Sequence, residues 1–149
     1  MEIKIRLCEL QDIPHMLPLI EQLGYPTTQA VLEKRFKHFM SFEGYGVAVA
    51  CYHDVMVGWV AWSKSVLFIT DTTRIHIEAL VIDQRYRGQG IGEKLMSFVE
   101  QLAVHYGPTI IDLTSGKKRA QNRTHDFYKK IGYHNEGDVE KVYLRKTID

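Results

Sequence analysis

Polar and apolar positions alternate from the start of the chain. Ile3, Ile5 and Leu7 interleave with Lys4, Arg6 and Cys8, the period-two pattern of a short strand. From about Gln11 to Gln22 the period lengthens, and Ile13, Met16, Leu17 and Ile20 share one helical face. Pro14 suits the first turn of that helix, whereas Pro18 predicts a kink or a split. Gly24-Tyr25-Pro26 stops it, and a second helix is expected from about Thr28 to Met40, with Thr27 or Thr28 as its cap. Two valine-rich runs, Gly46 to Tyr52 and Val55 to Ser63, meet at His53-Asp54 and predict an antiparallel hairpin. Arg74 to Ile82 is a third long strand. Gly88-Gln89-Gly90-Ile91-Gly92 then opens a helix striped by Ile91, Leu95, Phe98, Val99 and Leu102, which ends at Gly107-Pro108. A strand from Thr109 to Thr114 follows, then a helix from about Ala120 to Ile131 closed by Gly132. Closing strands are expected from Tyr133, with Lys141 to Lys146 alternating. The order, β-α-α-β-β-β-α-β-α-β-β, predicts a mixed sheet: antiparallel at the hairpin and parallel where a helix separates two strands.

Composition narrows the function. The chain has 149 residues, which suits one domain over 1–149. Nineteen basic side chains against eighteen acidic ones leave +1, so no global field recruits nucleic acid or an anionic membrane. Anion binding has to be local. Cys8 and Cys51 lie in apolar strand-like segments and read as reduced thiols rather than a bridge. The seven histidines are scattered without H-x-x-x-H or C-x-x-C spacing, so no metal site is expected. The longest apolar stretch, Val55 to Trp62, falls far short of the ~20 residues of a membrane span. The first residues carry alternating charges instead of a signal peptide's apolar run, and a cytoplasmic location is expected.

The local exception is Leu80-Val81-Ile82-Asp83-Gln84-Arg85-Tyr86-Arg87-Gly88-Gln89-Gly90-Ile91-Gly92. A strand enters a polar loop, and three alternating glycines lead into a helix. The glycines let the backbone approach a ligand, and the first helix amides lack intrahelical partners at the positive end of the dipole. With Arg85 and Arg87 beside them, they can cradle a phosphate or pyrophosphate; the plain alternative is a glycine-rich turn without a ligand. Glu93 stands where a P-loop needs its second glycine, and Gly-x-Gly-x-Gly is not the dinucleotide spacing Gly-x-Gly-x-x-Gly.

Arg85-x-x-Gly88-x-Gly90, extended to Gly92, resembles the pyrophosphate motif of the GNAT superfamily of acyl-CoA N-acyltransferases. Ile77-Glu78-Ala79-Leu80-Val81-Ile82 before it and His125-Asp126-Phe127-Tyr128-Lys129-Lys130-Ile131-Gly132-Tyr133 after it are similar to that family in the right order. The resemblance runs over nearly the whole chain, with its core from Arg74 to Tyr133. It implies an α/β (mixed, α+β) fold: a central mixed sheet of about seven strands, splayed between strands 4 and 5 and flanked by helices. It also implies acetyl-CoA as acyl donor and no metal. The pyrophosphate would lie on amides from Arg87 to Gly92, Gln89 and Ile91 included. The pantetheine arm would pair with the strand segment Leu80-Val81-Ile82 through the backbones of Leu80 and Ile82, as in strand addition. Where the family often carries Asn or Arg to contact the cofactor, this chain has Gln121; Asn122 is one residue off, with helix capping as its other reading.

The implied chemistry is attack of an amine on a thioester through a tetrahedral oxyanion. The strand amide near Leu80 is a candidate oxyanion donor. Tyr128 matches the family's usual general acid for the leaving thiolate, against a role as a core aromatic on the stripe of Thr124, Phe127 and Ile131. Glu78, placed by strand parity on the face of Leu80, is a candidate base acting through a water or an electrostatic clamp on the amine. His76, two residues back, is the second candidate base. Tyr25, Phe36, Phe39 and Phe42 are candidates to line the acceptor side or to fill the core. The acceptor is an unidentified amine, and a homodimer is left open. The alternative from another class is a non-catalytic acyl-CoA-binding or sensing module of the same fold.

Overall fold

The computed structural model describes residues 1–114, 124–135 and 143–149. The chain forms two compact units, Met1–Leu113 and Thr114–Asp149. In the first, five strands lie in chain order: β1 (Lys4–Leu7), β2 (Gly46–Tyr52), β3 (Val55–Val66), β4 (Thr73–Ile82) and β5 (Thr109–Leu113). β1 to β4 pair antiparallel and β5 joins β4 in parallel. The sheet therefore has five strands among the described residues, not about seven. Residues 131–135 and 143–149 are described outside any strand, and 136–142 lie outside the described residues.

Local sequence explains the element ends. His53 and Asp54 both adopt positive φ, the two-residue turn whose twist matches the hairpin it joins. Thr28 caps α2 (Gln29–Met40) by accepting from Val31 N–H at 3.3 Å. α1 (Ile13–Leu23) passes through Pro18 without splitting. The proline removes one backbone bond, but Ile13, Met16, Leu19 and Ile20 remain buried on the sheet side and hold the helix together. Gly24, at φ +101°, ends α1 with paired bonds, Gly24 N–H to Glu21 C=O and Tyr25 N–H to Ile20 C=O.

The helices divide between the two faces of the sheet. Leu32 of α2 and the buried face of α1 join Val47, Val49, Trp59 and Val81 in one core, with Phe36 and Phe39 packed against it. Tyr25 and Phe42 are exposed. On the other face lies α3 (Ile91–Ala103), where Ile91, Leu95, Met96 and Val99 are fully buried and Phe98 meets Trp62 with ring centroids 6.4 Å apart. Each such aliphatic side chain contributes about 1.5–3 kcal/mol of burial. No described helix is long and apolar enough to cross a membrane.

Candidate active site

β4 is paired with β3 along its length, but its other edge is covered unevenly. β5 matches it from Thr73, opposite Thr109, to Ile77, opposite Leu113, and no further. One bond fixes the direction of the backbone groups beyond: Asp83 N–H donates to Val57 C=O at 2.8 Å. In an antiparallel ladder a residue turns its N–H and C=O to the same side, and successive residues alternate. Val81 and Ala79 therefore bond toward β3, while Leu80 and Ile82 turn their backbone groups to the edge β5 leaves uncovered. Ile82 C=O accepts from Arg87 Nε at 3.2 Å. Val81 does not reach that edge, since its backbone faces β3 and its side chain is in the core.

The strand also changes phase. Ala79 pairs with Ala61, but Ile77 pairs with Trp62, so Glu78 is an extra residue in β4. Ile77 shares the α3 face with its partner Trp62, whereas Ala79 and Val81 belong to the core under α1 and α2. Leu80 and Ile82 thus fall on the α3 face, where Ile82 and Leu95 crowd Gly58. Glu78 lies on the opposite face, with Ser63 and His76, because Ser63 Oγ donates to Glu78 Oε1 at 2.5 Å and Ser63 is the register partner of His76. This corrects the parity expectation that placed Glu78 and Leu80 on one face. Glu78 is also exposed rather than half-buried, so desolvation does not recommend it as a base.

At the end of β4, Asp83 caps the short turn Gln84–Tyr86 by accepting from Arg85 N–H at 3.0 Å. The same carboxylate takes Arg85 Nη2 at 2.8 Å and Arg85 Nε at 3.3 Å. Hydrogen bonds from Arg85 hold the Asp83 carboxyl below the usual range against the opposing pull of burial. The charge of Arg85 is thereby matched within the loop itself. Gly88 and Gly90 follow at φ +78° and +81°, and a Cβ at either would meet nothing within 4 Å. Gly90 is the N-cap of α3 and brings no side chain to its amides. A serine or aspartate there would occupy them; glycine leaves the N–H groups of Ile91, Gly92 and Glu93 to an outside acceptor. Gln89 is exposed, whereas Ile91 and Gly92 are buried under the helix start. Loop and strand edge fit an extended ligand with an anionic group at one end.

A second cluster joins β4 to β5. His76 stands opposite Asp112, and their Nδ1 and Oδ1 atoms are 2.7 Å apart. Arg74 Nε donates to Asp112 Oδ2 at 2.7 Å, and its Nη2 lies 3.1 Å from His76 Nδ1. Burial pushes the Asp112 carboxyl up, but hydrogen bonds from Arg74 and His76 outweigh it and hold it below the ordinary value. Sequence reasoning missed Asp112. A lone carboxylate in the apolar run Thr109-Ile110-Ile111-Asp112-Leu113 was the available signal, but its parallel partner cannot be read from spacing.

In the second unit, α4 (Thr124–Lys130) carries Tyr128. Gly132, at φ +100°, ends it by donating to Lys129 C=O, and Tyr133 N–H reaches Tyr128 C=O at 2.9 Å. The Tyr128 ring meets Phe127 and Tyr133 at centroid distances of 5.0 and 6.2 Å. Gln121 and Asn122 lie outside the described residues. Among the described residues, no group of three or more His, Cys, Asp or Glu side chains is placed to hold a metal ion.

An open β4 edge leading to an uncapped, glycine-framed helix start can take an extended ligand with a phosphate at one end. The chain belongs to the acetyltransferase (GNAT) family, whose model matches residues 11–133 and so draws on both units. Its chemistry is accordingly acyl transfer from acetyl-CoA. No curated protein matches the chain. Among solved structures it is similar to glucosamine-6-phosphate N-acetyltransferase from Arabidopsis thaliana, at 22% identity and TM-score 0.80 over all of both chains. It is also similar to an aminoglycoside acetyltransferase from an uncultured soil metagenomic sample, solved with sisomicin, at 20% identity and TM-score 0.77 over 99% of this chain and 97% of that one. An aminoglycoside N-acetyltransferase of type AAC(6')-Iy, solved with CoA, gives 13% identity and TM-score 0.81 over 99% and 96%. At these identities the likeness concerns the fold.

Proposed function

We propose that this protein transfers the acetyl group of acetyl-CoA to a primary amine of a small molecule or peptide by direct attack. The observation that carries the reading is the continuity of the Leu80 and Ile82 backbone edge with the uncapped amides at Gly90. The edge suits a pantetheine arm, which offers amide groups to a strand. The helix start suits a pyrophosphate. Acetylation of amines by the named structural neighbours supports the choice of acceptor class. Two free thiols, Cys8 and Cys51, accord with a reducing compartment, and a cytosolic location is part of the proposal.

The chemistry distributes over this chain's residues. The ammonium form of an alkyl amine is no nucleophile, so a group on the Glu78 and His76 face removes a proton first. The neutral amine then bonds to the thioester carbon, and a strand amide near Leu80 stabilises the oxyanion. As the C–S bond breaks, the thiolate takes a proton, the role assigned to Tyr128. A second proton leaves the nitrogen as the amide forms.

Release of free CoA, followed across polyamines, aminoglycosides, amino sugars, amino acids and peptide N-termini, tests the proposal. Amine-dependent release with a mass gain of one acetyl group on the acceptor supports it. Silence across the panel from protein that binds acetyl-CoA overturns it in favour of a binding module.

A further inference from the structure

The cluster of Arg74, His76 and Asp112 has the geometry of an oriented imidazole. Two atoms compete for the inner ring nitrogen. Asp112 Oδ1 lies 2.7 Å from Nδ1 and can only accept, while Arg74 Nη2 lies 3.1 Å away and can only donate. If Nδ1 carried a lone pair, it would face a carboxylate oxygen at 2.7 Å, acceptor against acceptor. With the proton on Nδ1 the short contact becomes a charge-assisted hydrogen bond. The Arg74 contact is the longer of the two, and Arg74 is held in place independently by its Nε–H, which donates to Asp112 Oδ2 at 2.7 Å. A neutral His76 then keeps its lone pair on Nε2. The ring is partly open to solvent, and Glu78, held by Ser63 on the same face, adds a negative charge two residues along.

We propose that His76 Nε2 is the atom that takes the proton from the acceptor ammonium, with Asp112 as the positioning residue that fixes its tautomer and Arg74 as the clamp on Asp112. The inference deepens the acetyl-transfer reading and rests on it. The step balances: the N–H bond of the ammonium breaks, its electron pair stays on the amine nitrogen, and the proton bonds to Nε2. The imidazolium then faces Asp112, whose charge stabilises it, and releases the proton to solvent after the acetyl group has moved. Glu78, exposed and bound by the Ser63 hydroxyl, is left with the work of holding the cationic acceptor in place.

Two measurements test this separately from the overall function. In the native protein, long-range proton–nitrogen correlation of the histidine rings is expected to show Nδ1 of neutral His76 as the protonated nitrogen and Nε2 as the bare one. Asp112→Asn is expected to give a mixture of tautomers. A wild-type ring protonated on Nε2 overturns the proposal, whether or not any amine is ever acetylated. With an amine that turns over in the CoA-release panel, His76→Ala is expected to lower kcat by about 100-fold or more. Its KM for acetyl-CoA should not change, and added imidazole should restore turnover. Asp112→Asn should lower kcat without raising either KM. Loss of acetyl-CoA affinity in place of turnover, or failure of imidazole to restore a folded His76→Ala, assigns the cluster a structural role and overturns the base assignment. Silence of the wild type across the panel sinks the acetyl-transfer reading instead, and is told apart by the ring spectrum.

Discussion

Asp83 accepts three bonds from Arg85, from the backbone N–H at 3.0 Å and from the guanidinium at 2.8 and 3.3 Å, and does so from a buried position. Arg85, the first of the two arginines before the glycines, is therefore a structural partner of the loop. Arg85→Ala leaves Asp83 buried without its counter-charge and is expected to lower the melting temperature while changing acetyl-CoA affinity less than about 3-fold. Arg87→Ala, which removes an exposed cation beside the loop, is expected to weaken binding about 3- to 10-fold, and more at low salt than at high salt. Calorimetry at two ionic strengths checks both. A large affinity loss with Arg85→Ala would return that residue to the ligand.

Gly90→Asp places a carboxylate where α3 now offers free amides. The side chain would cap the helix itself, and its charge would repel a pyrophosphate. Loss of two charge-assisted bonds corresponds to at least about a 100-fold weaker acetyl-CoA affinity. Circular dichroism should report a retained fold. Unchanged affinity would remove the anion assignment from this loop.

Tyr128→Phe deletes a hydroxyl and keeps the ring among Phe127 and Tyr133. A fall in kcat of about 100-fold, with acetyl-CoA affinity intact, is expected for a proton donor to the leaving thiolate. Equal turnover would mean that water or another group serves.

Acid should destabilise the fold through identifiable carboxylates. Asp12 is held low chiefly by hydrogen bonds from Arg6, at 2.7 and 2.8 Å, and Asp83 by those from Arg85. A carboxyl depressed in the folded state contributes its stability in full above the ordinary range near ~4 and loses it as pH falls through the lower folded value. Melting temperature should accordingly be level near neutrality and fall steeply below about pH 4. Asp12→Asn should flatten part of that fall and cost about 1–2 kcal/mol at pH 7, a figure kept small because Arg6 is half exposed. A slope identical to wild type would deny Asp12 its share.

Burial pushes the Cys8 thiol up to about 12 and raises Cys51 as well. Neither has an appreciable thiolate population at about pH 8, so alkylation of the native protein should be slow and that of the denatured protein fast. Cys51, less buried, should react first. Rapid labelling of Cys8 in the native state would contradict its burial.

The hairpin, α3, Gly132 as a helix end and the glycine loop were legible because each is written locally, as period, turn residue or cap. Residues such as Ile91, Leu95 and Val99 announce the face they bury. What escaped depends on pairing between distant segments. Nothing in Ile77-Glu78-Ala79 says that β3 will meet it one residue short, and nothing in Thr109 to Leu113 names His76 as the neighbour of Asp112. The arginines were legible as charges, but the pairing that occupies Arg85 was not, because Asp83 had to fold beneath it first. Alternation from Lys141 onward promised a strand, and its described part, from Tyr143, lies in none of the described strands.

The extra residue at Glu78 makes chain length, rather than side-chain identity, the constrained quantity in the middle of β4. Deleting one residue there would restore an unbroken ladder with β3: Ala79 to Ile82 would keep their partners, Ala61 to Gly58, and their faces, but the strand would lose the bend that a bulge gives it. The bulge follows directly on Ile77, the last residue of β4 that β5 matches, so the bend falls where the two strands part. A substitution at position 78 tests a charge, but a deletion would test the parting of β4 from β5.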